Sequence, residues 1–317
     1  MRVLVVTNMW PHKEEPSFGT FVAQQVEGLR QRGIEIDVLF INGKRSRWQY
    51  LLGIPRLWGA LLRRHYDLVH AHYVFSGWVA RMQVCRPLVV SFHGGPELDG
   101  YQGRLVRALV RLVDGCSVPS HKERERLGWP KAHVVPCGVD LNLFVPQPRD
   151  EARRRLGLPM DQKLILFVGE DRVEKRLDLI RAAAAIVQET NPQARLLHVT
   201  GQPHTAIPTY MNAGDVLVLA SDLEASPVVI KEAMACNLPI VSTDVGDVAD
   251  VFGNTEGCYL AAHTAQDIAL KVQQALAFGR RTNGRERVAR LQVADEVNGI
   301  LDMYGEATGY KLQAAGY

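Results

Sequence analysis

Short apolar runs rich in β-branched residues alternate with helical patterns along almost the whole chain. That alternation restricts the fold more than any other feature, because strands joined by crossover helices run parallel in one sheet. The first runs are 2–8, 34–41, 67–74, 87–92, 115–119 and 133–136. Helical stretches lie between them, such as FVAQQVEGLRQRG at 21–33, closed by Gly33 as a C-terminal cap. PCGVDLNLFVPQPRD at 136–150 holds three prolines and reads as a linker. The alternation then restarts at 164–169, 195–200, 216–221, 239–243 and 257–261, with helices at 228–236 and 265–278. The expected fold class is α/β: two Rossmann-like parallel-sheet domains facing across a cleft, with ligands at the carboxyl ends of the strands. The expected divisions are 1–148, 149–300 and a tail, 301–317, that packs back on the first domain.

Composition sets outer limits. The chain has 317 residues, 47% of them apolar, which suffices for two cores. No apolar run approaches the roughly 18 residues that span a bilayer. MRVLVVTNMW at the start reads as a buried strand, since a signal peptide needs a longer apolar stretch and a small-residue cleavage site. The five cysteines, Cys85, Cys116, Cys137, Cys236 and Cys258, include no CxxC and read as reduced thiols of a cytoplasmic protein. The net charge of +3 hides an asymmetry: residues 1–148 carry 19 Lys/Arg against 12 Asp/Glu, and the remainder carries 18 against 22. A basic first half suits an anionic partner, such as a phosphorylated acceptor or a lipid surface, and equally suits scattered solvated charge. The GxG dinucleotide fingerprint, the phosphate-binding GxxxxGK loop, GxSxG and a strict DxD are all absent from the sequence.

The strongest chemical signal is SDLEASPVVIKEAMACNLPIVSTDVGD at 221–247. A strand ends at Ser221 and a loop carries Glu224. Ser226 then suits a helix cap, Pro227 the first helical position, and Glu232 lies about a turn and a half in. Such a helix start offers backbone N–H groups, near Val228 and Val229, to a diphosphate. Glu224 and Glu232 would flank it as acceptors for sugar and ribose hydroxyls. By pattern alone, an ordinary capped amphipathic helix with an exposed Glu fits as well.

The block from Glu224 to Glu232, with KEAMACNLPIVSTDVG, resembles the E-x7-E signature of glycosyltransferase family 4, which has the GT-B fold. The resemblance extends over nearly the whole chain through MRVLVVTNMWPH, FGTFVAQQVEGLRQRG, DLVHAHY, VVSFHGGPEL and VVPCGVDLNLF. It implies that Glu224 contacts the transferred sugar and Glu232 the nucleotide ribose. It also implies a diphosphate held by an Arg and a Lys. Lys175 stands in register for the Lys, but Glu170 occupies the Arg position, and Arg172, two residues on, either substitutes or is a surface arginine. Ala225, Asp247 and Cys137 stand where the family usually has Gly, Gly and Asn.

Four further features bear on function. Gly19 opens the first helix after the loop PHKEEPSF, where glycine lets backbone approach a phosphate or simply joins loop to helix. His93 precedes Gly94-Gly95 at a strand end and matches the family's His-Gly, which implies a catalytic-site contact with sugar or acceptor. His70 and His72 share one strand face, but no third metal ligand accompanies them, so structural or acceptor-lining roles are expected and no metal is assigned. Residues 44–66 hold six Lys/Arg, no acid, Trp48 and Trp58. They fit an interfacial helix on an anionic membrane, or a core helix with a basic outer face broken at Pro55.

The resemblance therefore implies a retaining, metal-independent glycosyltransferase without a cofactor. It would move a sugar, on a UDP- or GDP-linked donor, to a hydroxyl acceptor. No nucleic-acid motif accompanies the charge. A nucleotide-sugar 2-epimerase of the same fold and a non-catalytic nucleotide-sugar-binding protein are the alternatives.

Overall fold

Each apolar run contains a strand; the central ones, such as Arg2–Thr7, Leu68–His72, Leu88–Ser91 and Val216–Leu219, are buried on both faces, the usual condition of parallel sheets covered by helices, while Glu35–Phe40, His133–Val134, Ala194–Val199 and Cys258–Ala261 at the sheet edges are partly exposed. The computed structural model describes residues 1–15 and 18–310; Pro16 and Ser17 of the loop before Gly19, and residues 311–317 of the tail, lie outside the described residues. The described residues form two compact units.

Unit 1 begins with β1 (Arg2–Thr7), α1 (Thr20–Gln31), β2 (Glu35–Phe40), α2 (Trp48–Arg63), β3 (Leu68–His72) and α3 (Val74–Arg81). It continues with β4 (Leu88–Ser91), α4 (Gly100–Leu109), β5 (Gly115–Val118), α5 (His121–Leu127) and β6 (His133–Val134). Its six strands are parallel, in the order β2-β1-β3-β4-β5-β6.

Unit 2 holds α6 (Arg149–Leu156), β7 (Lys163–Val168), α7 (Leu177–Thr190), β8 (Ala194–Val199), α8 (Ile207–Ala213) and β9 (Val216–Leu219). It closes with α9 (Val228–Ala235), β10 (Ile240–Thr243), α10 (Val248–Phe252), β11 (Cys258–Ala261), α11 (Ala265–Phe278) and α12 (Gly284–Val288). Its sheet, also parallel, is ordered β11-β10-β9-β7-β8. In both sheets the chain steps one way from its first strand to its second, then the other way to its third. The reversals fall between β1 and β3 and between β7 and β9, the places at which parallel sheets of this kind offer a ligand crevice at their strand ends.

The division differs from the expected one at two places. The boundary lies at Cys137/Gly138, not 148/149. Val139 and Phe144 are fully buried in unit 2, and Arg285 donates to the carbonyls of Leu141 and Phe144 at 2.8 and 2.5 Å, so 138–148 is packed chain rather than a free linker. The second boundary lies at Gln292/Val293, not 300/301. The last helix, α13 (Val293–Thr308), puts Val297, Ile300, Met303 and Tyr304 into the core that β1 and α1 share, and Glu296 accepts from Gln25 at 2.7 Å.

Two smaller corrections follow from local chemistry. Pro55 sits inside α2 without breaking it. The N–H it lacks would have bonded the carbonyl of Leu51, an exposed residue whose carbonyl water can satisfy. Gly33, at φ +79°, lies one position past the cap of α1 rather than at it, and its N–H and that of Ile34 bond back to Arg30 and Leu29. All five cysteines are free.

Candidate donor site in unit 2

The strand reversal in unit 2 brings together the loops after β7 and β9. After β7 the chain turns at Gly169, φ +146°, and Lys175 closes a short 3₁₀ turn, Val173–Lys175, just ahead of α7. After β9 it passes Ser221 and reaches Glu224. Lys175 Nζ and Ser221 Oγ both donate to Glu224 Oε1, the serine at 2.9 Å. The backbone N–H of Asp222 donates to the carbonyl of Glu174 at 2.9 Å, and Arg176 ion-pairs with Asp222 at 3.2 Å. The two loops are thus tied by main chain and side chain, and Lys175 and Glu224 stand together.

Arg172 lies on the first of these loops but turns to its own acidic neighbours, Glu174 at 3.3 Å and Glu170 at 3.9 Å. Glu170 is largely exposed.

The helix α9 starts differently from expectation. Pro227 is its N-cap, extended at ψ 110°, and the first helical residue is Val228. Ser226 makes no capping bond. Its hydroxyl instead donates to Asp247 Oδ2 at 2.7 Å and accepts from Lys231 Nζ at 2.5 Å. The N–H groups of Val228 and Val229 precede the hydrogen-bonded ladder of α9, beside the reversal. Glu232, nearly buried, accepts from His204 Nε2 at 2.7 Å, and this bond raises the imidazole's pKa above its ordinary value against the opposing effect of burial.

The corresponding reversal in unit 1 gathers histidines. His70 bonds Ser91 Oγ and Tyr304 OH, each at 2.8 Å. His72 Nδ1 lies 3.1 Å from His93 Nε2, with the rings stacked, and Phe21 of α1 packs edge-on against His93. Burial lowers all three imidazoles, His93 to about 4 and His70 to about 3. Glu97 is buried too, accepts from the backbone N–H of His93 and Val74 at 2.8 and 2.6 Å, and is pushed up to about 8 by desolvation. Gly19, φ +71°, caps α1, and a Cβ there would meet the backbone of Met9 at 2.3 Å, so close chain approach alone requires glycine. No group of three or more His, Cys, Asp or Glu among the described residues is placed to hold a metal.

Sequence reasoning missed His204, Lys231, Asp247 and Glu97 as partners. Lys231 alone left a trace, a cation inside an apolar helix turn.

The sequence model described as Glycosyltransferase Family 4 matches residues 1–143, and that described as Glycosyl transferases group 1 matches residues 197–290. The chain belongs to glycosyltransferase family 4. A relative from Bacillus subtilis (strain 168), named as the teichuronic acid biosynthesis glycosyltransferase TuaC, is 28% identical over 94% of this chain and 92% of its own length. Sucrose-phosphate synthase from Thermosynechococcus elongatus superposes with a TM-score of 0.76 at 21% identity, over 96% of this chain and 98% of that one. Anabaena HepE in complex with UDP-glucose does so at 0.73 and 18%, over 96% and 99%. This family-4 chain is therefore a glycosyltransferase, and its two parallel-sheet units are those of the GT-B fold.

The buried histidines make a stability prediction. Each has a folded pKa below its unfolded value near 6.5, so unfolding takes up a proton below pH ~6.5 and stability falls as pH falls. Glu97, raised in the folded state, acts in the opposite sense above its unfolded pKa. Glu123, also raised by burial, acts in the same sense as Glu97, but the three histidines outnumber the two carboxyls, so between about pH 4.5 and 6 stability falls as the pH falls. All five tryptophans lie in unit 1, so their fluorescence reports its unfolding in urea. Stability that stays flat or rises on acidification through this window would contradict the neutral histidine cluster.

Proposed function

We propose that this glycosyltransferase transfers a hexose from a nucleoside diphosphate carrier to a hydroxyl of a glycan, glycolipid or small molecule, with retention and without a metal. The observation that carries the reading is the pair of E-x7-E carboxylates, Glu224 held by Lys175 and Glu232 by His204, beside a helix start at the strand reversal of unit 2. Glu232 takes the ribose hydroxyls and Glu224 the sugar. Lys175 and the first N–H groups of α9 stabilise the charge that grows on the departing diphosphate, the task a metal performs elsewhere. A uridine or guanosine carrier is proposed, uridine being favoured because HepE, of the same fold, binds UDP-glucose. Unit 1 supplies the acceptor side, with His93 as the contact to the reacting groups and Gly19 at its strand reversal.

α2 adds a second proposal, a peripheral seat on an anionic membrane. No helix among the described residues is long and apolar enough to cross a bilayer. Yet Trp48, Leu51, Leu52 and Leu62 of α2 are exposed, Leu62 at 83%, alongside exposed Arg56 and Arg63. Large apolar side chains interleaved with arginines and no acid suit the headgroup boundary of such a bilayer.

Three outcomes follow. Glu232→Ala raises the Kd for UDP about tenfold or more, since hydrogen bonds to a charged acceptor are worth about 1.5–3 kcal/mol. Glu224→Gln leaves UDP binding equal or stronger, because Lys175 is freed, but lowers kcat about a hundredfold. Calorimetry and initial rates check both, and equal losses in the two variants would misplace the donor. EDTA leaves turnover unchanged; loss restored by Mn²⁺ would overturn the metal-free reading. Arg56→Glu with Arg63→Glu cuts binding to phosphatidylserine vesicles at least about thirtyfold, each basic residue being worth about 1 kcal/mol there. No binding of the unaltered protein at low salt would end the membrane proposal.

A further inference from the structure

Lys231 is a fully buried lysine in an eight-residue helix, the residue before Glu232. Its ammonium lies 3.1 Å from Asp247 Oδ2 and donates to Ser226 Oγ at 2.5 Å, while that same hydroxyl donates to Asp247 Oδ2 at 2.7 Å. A serine hydroxyl rotates freely when it has one partner. Here a cation sets its lone pair and an anion sets its proton, so Ser226 has one orientation. Asp247 Oδ1 is buried without a hydrogen-bond partner, so the pair is not a fully satisfied core bridge. Buried ion pairs are in general no more stabilising than apolar packing of equal volume. What this one adds is a fixed place for the chain that carries Ser226.

Two neighbouring contacts act on the same stretch. Gly246, at φ +55°, lies against the backbone of Glu224 and Ala225, and a Cβ there would meet the Ala225 carbonyl oxygen at 2.5 Å. Thr243 Oγ1 donates to the carbonyl of Ser221 at 2.7 Å. The end of β10 and its following loop, 243–247, thus touch the 221–226 segment at its start, its middle and its end. Glu224 stands between the first and third of these anchors, at the second.

We propose that Lys231 and Asp247 are positioning residues for the sugar end of the donor site: through Ser226 they hold the segment that carries Glu224 into α9. The inference rests on the donor reading given above for the identity of what Glu224 meets. Lys231 and Asp247 themselves touch no substrate. Removing one of them takes away a partner of the other's buried charge, whereas removing both takes the pair away together.

The test therefore uses Lys231→Met with Asp247→Ala in the full-length protein. Hydrogen–deuterium exchange, read by mass spectrometry without ligand, should show the amides of 221–230 exchanging at least tenfold faster, with other peptides of unit 2 unchanged. With UDP-glucose as the probe, kcat should fall at least tenfold, while the Kd for UDP alone, which lacks the sugar, changes less than threefold. Unchanged exchange at 221–230, or acceleration spread evenly over unit 2, overturns the inference, the second by making the pair a general core element. Should the double variant not fold, Ser226→Ala, which removes the bridging hydroxyl and leaves the ion pair in place, is read by the same exchange criterion. If the unaltered protein binds neither UDP nor UDP-glucose, the donor reading fails, and the exchange result still decides this inference.

Discussion

Every strand in both sheets is parallel, and this constraint organises the rest of the structure. A parallel sheet must be covered on both faces, so its strands are short, apolar and buried, and polar groups are pushed to the strand ends. At the carboxyl ends the chain leaves as loops, and where the strand order reverses two such loops separate. Lys175 pairs with Glu224 across the two loops at the reversal in unit 2, and Lys231 of α9 pairs with Asp247 from the loop after the neighbouring strand β10. The chemistry is located by topology before any single residue is chosen.

The same constraint explains what the polar residues inside unit 1 do. His70 and His72 lie on β3, a strand interior to the sheet, where water cannot reach them. Neutral imidazoles can be both donor and acceptor, so a chain of them with Ser91, Tyr304 and His93 partners both nitrogens of His70 and Nδ1 of His72 without burying charge, while His72 Nε2 is left without a hydrogen bond. Glu97 serves the turn after β3 and the end of β4 at once, since one carboxylate accepts from Val74 and His93. His72 and Ser91 close β3 and β4, and His93 follows just after β4, so this hydrogen-bonded chain gathers at the strand ends.

Much of this architecture was legible in the sequence, for a physical reason. Nine of the eleven strands fall within the apolar runs read from the chain, and β7 and β8 start one residue earlier, because a parallel strand between helices is mainly apolar and bounded by polar turns. α11 matches its expected span because its apolar spacing and Thr264 cap are local signals. What failed was non-local. Prolines at 136, 146 and 148 look like a linker until Phe144 and Val139 are seen filling the core of unit 2. α13 is an ordinary amphipathic helix, and nothing in its own residues says that it returns to Val3, Val26 and Leu29. Ser226 looked like a cap because Ser-Pro before an apolar run usually is one. Its hydroxyl was instead claimed by Lys231 and Asp247, the latter 21 positions further on. Glu224, Glu232 and Lys175 were found through a family pattern that preserves positions around a ligand. His204 carries no such pattern.

The ion pairs at the donor site raise the question of how a carboxylate that is already paired can serve a ligand. For Glu224 the geometry contains an answer. Its Oε1 accepts from two groups, Lys175 and Ser221 Oγ. An ammonium has three donors and a carboxylate about four acceptor sites, so neither is saturated by the other. An arriving diphosphate brings more negative charge than one carboxylate and would draw Lys175 toward it, while Ser221 keeps Glu224 satisfied. The lysine then bridges sugar-side and phosphate-side groups instead of abandoning one for the other. The arrangement also holds the lysine's position before the ligand arrives, so less side-chain freedom is lost on binding than a solvated lysine would lose. On the donor reading proposed above, the site would be preorganised by an anion that it then shares, with Glu224 as the lysine's support in the free protein and the sugar's neighbour in the complex.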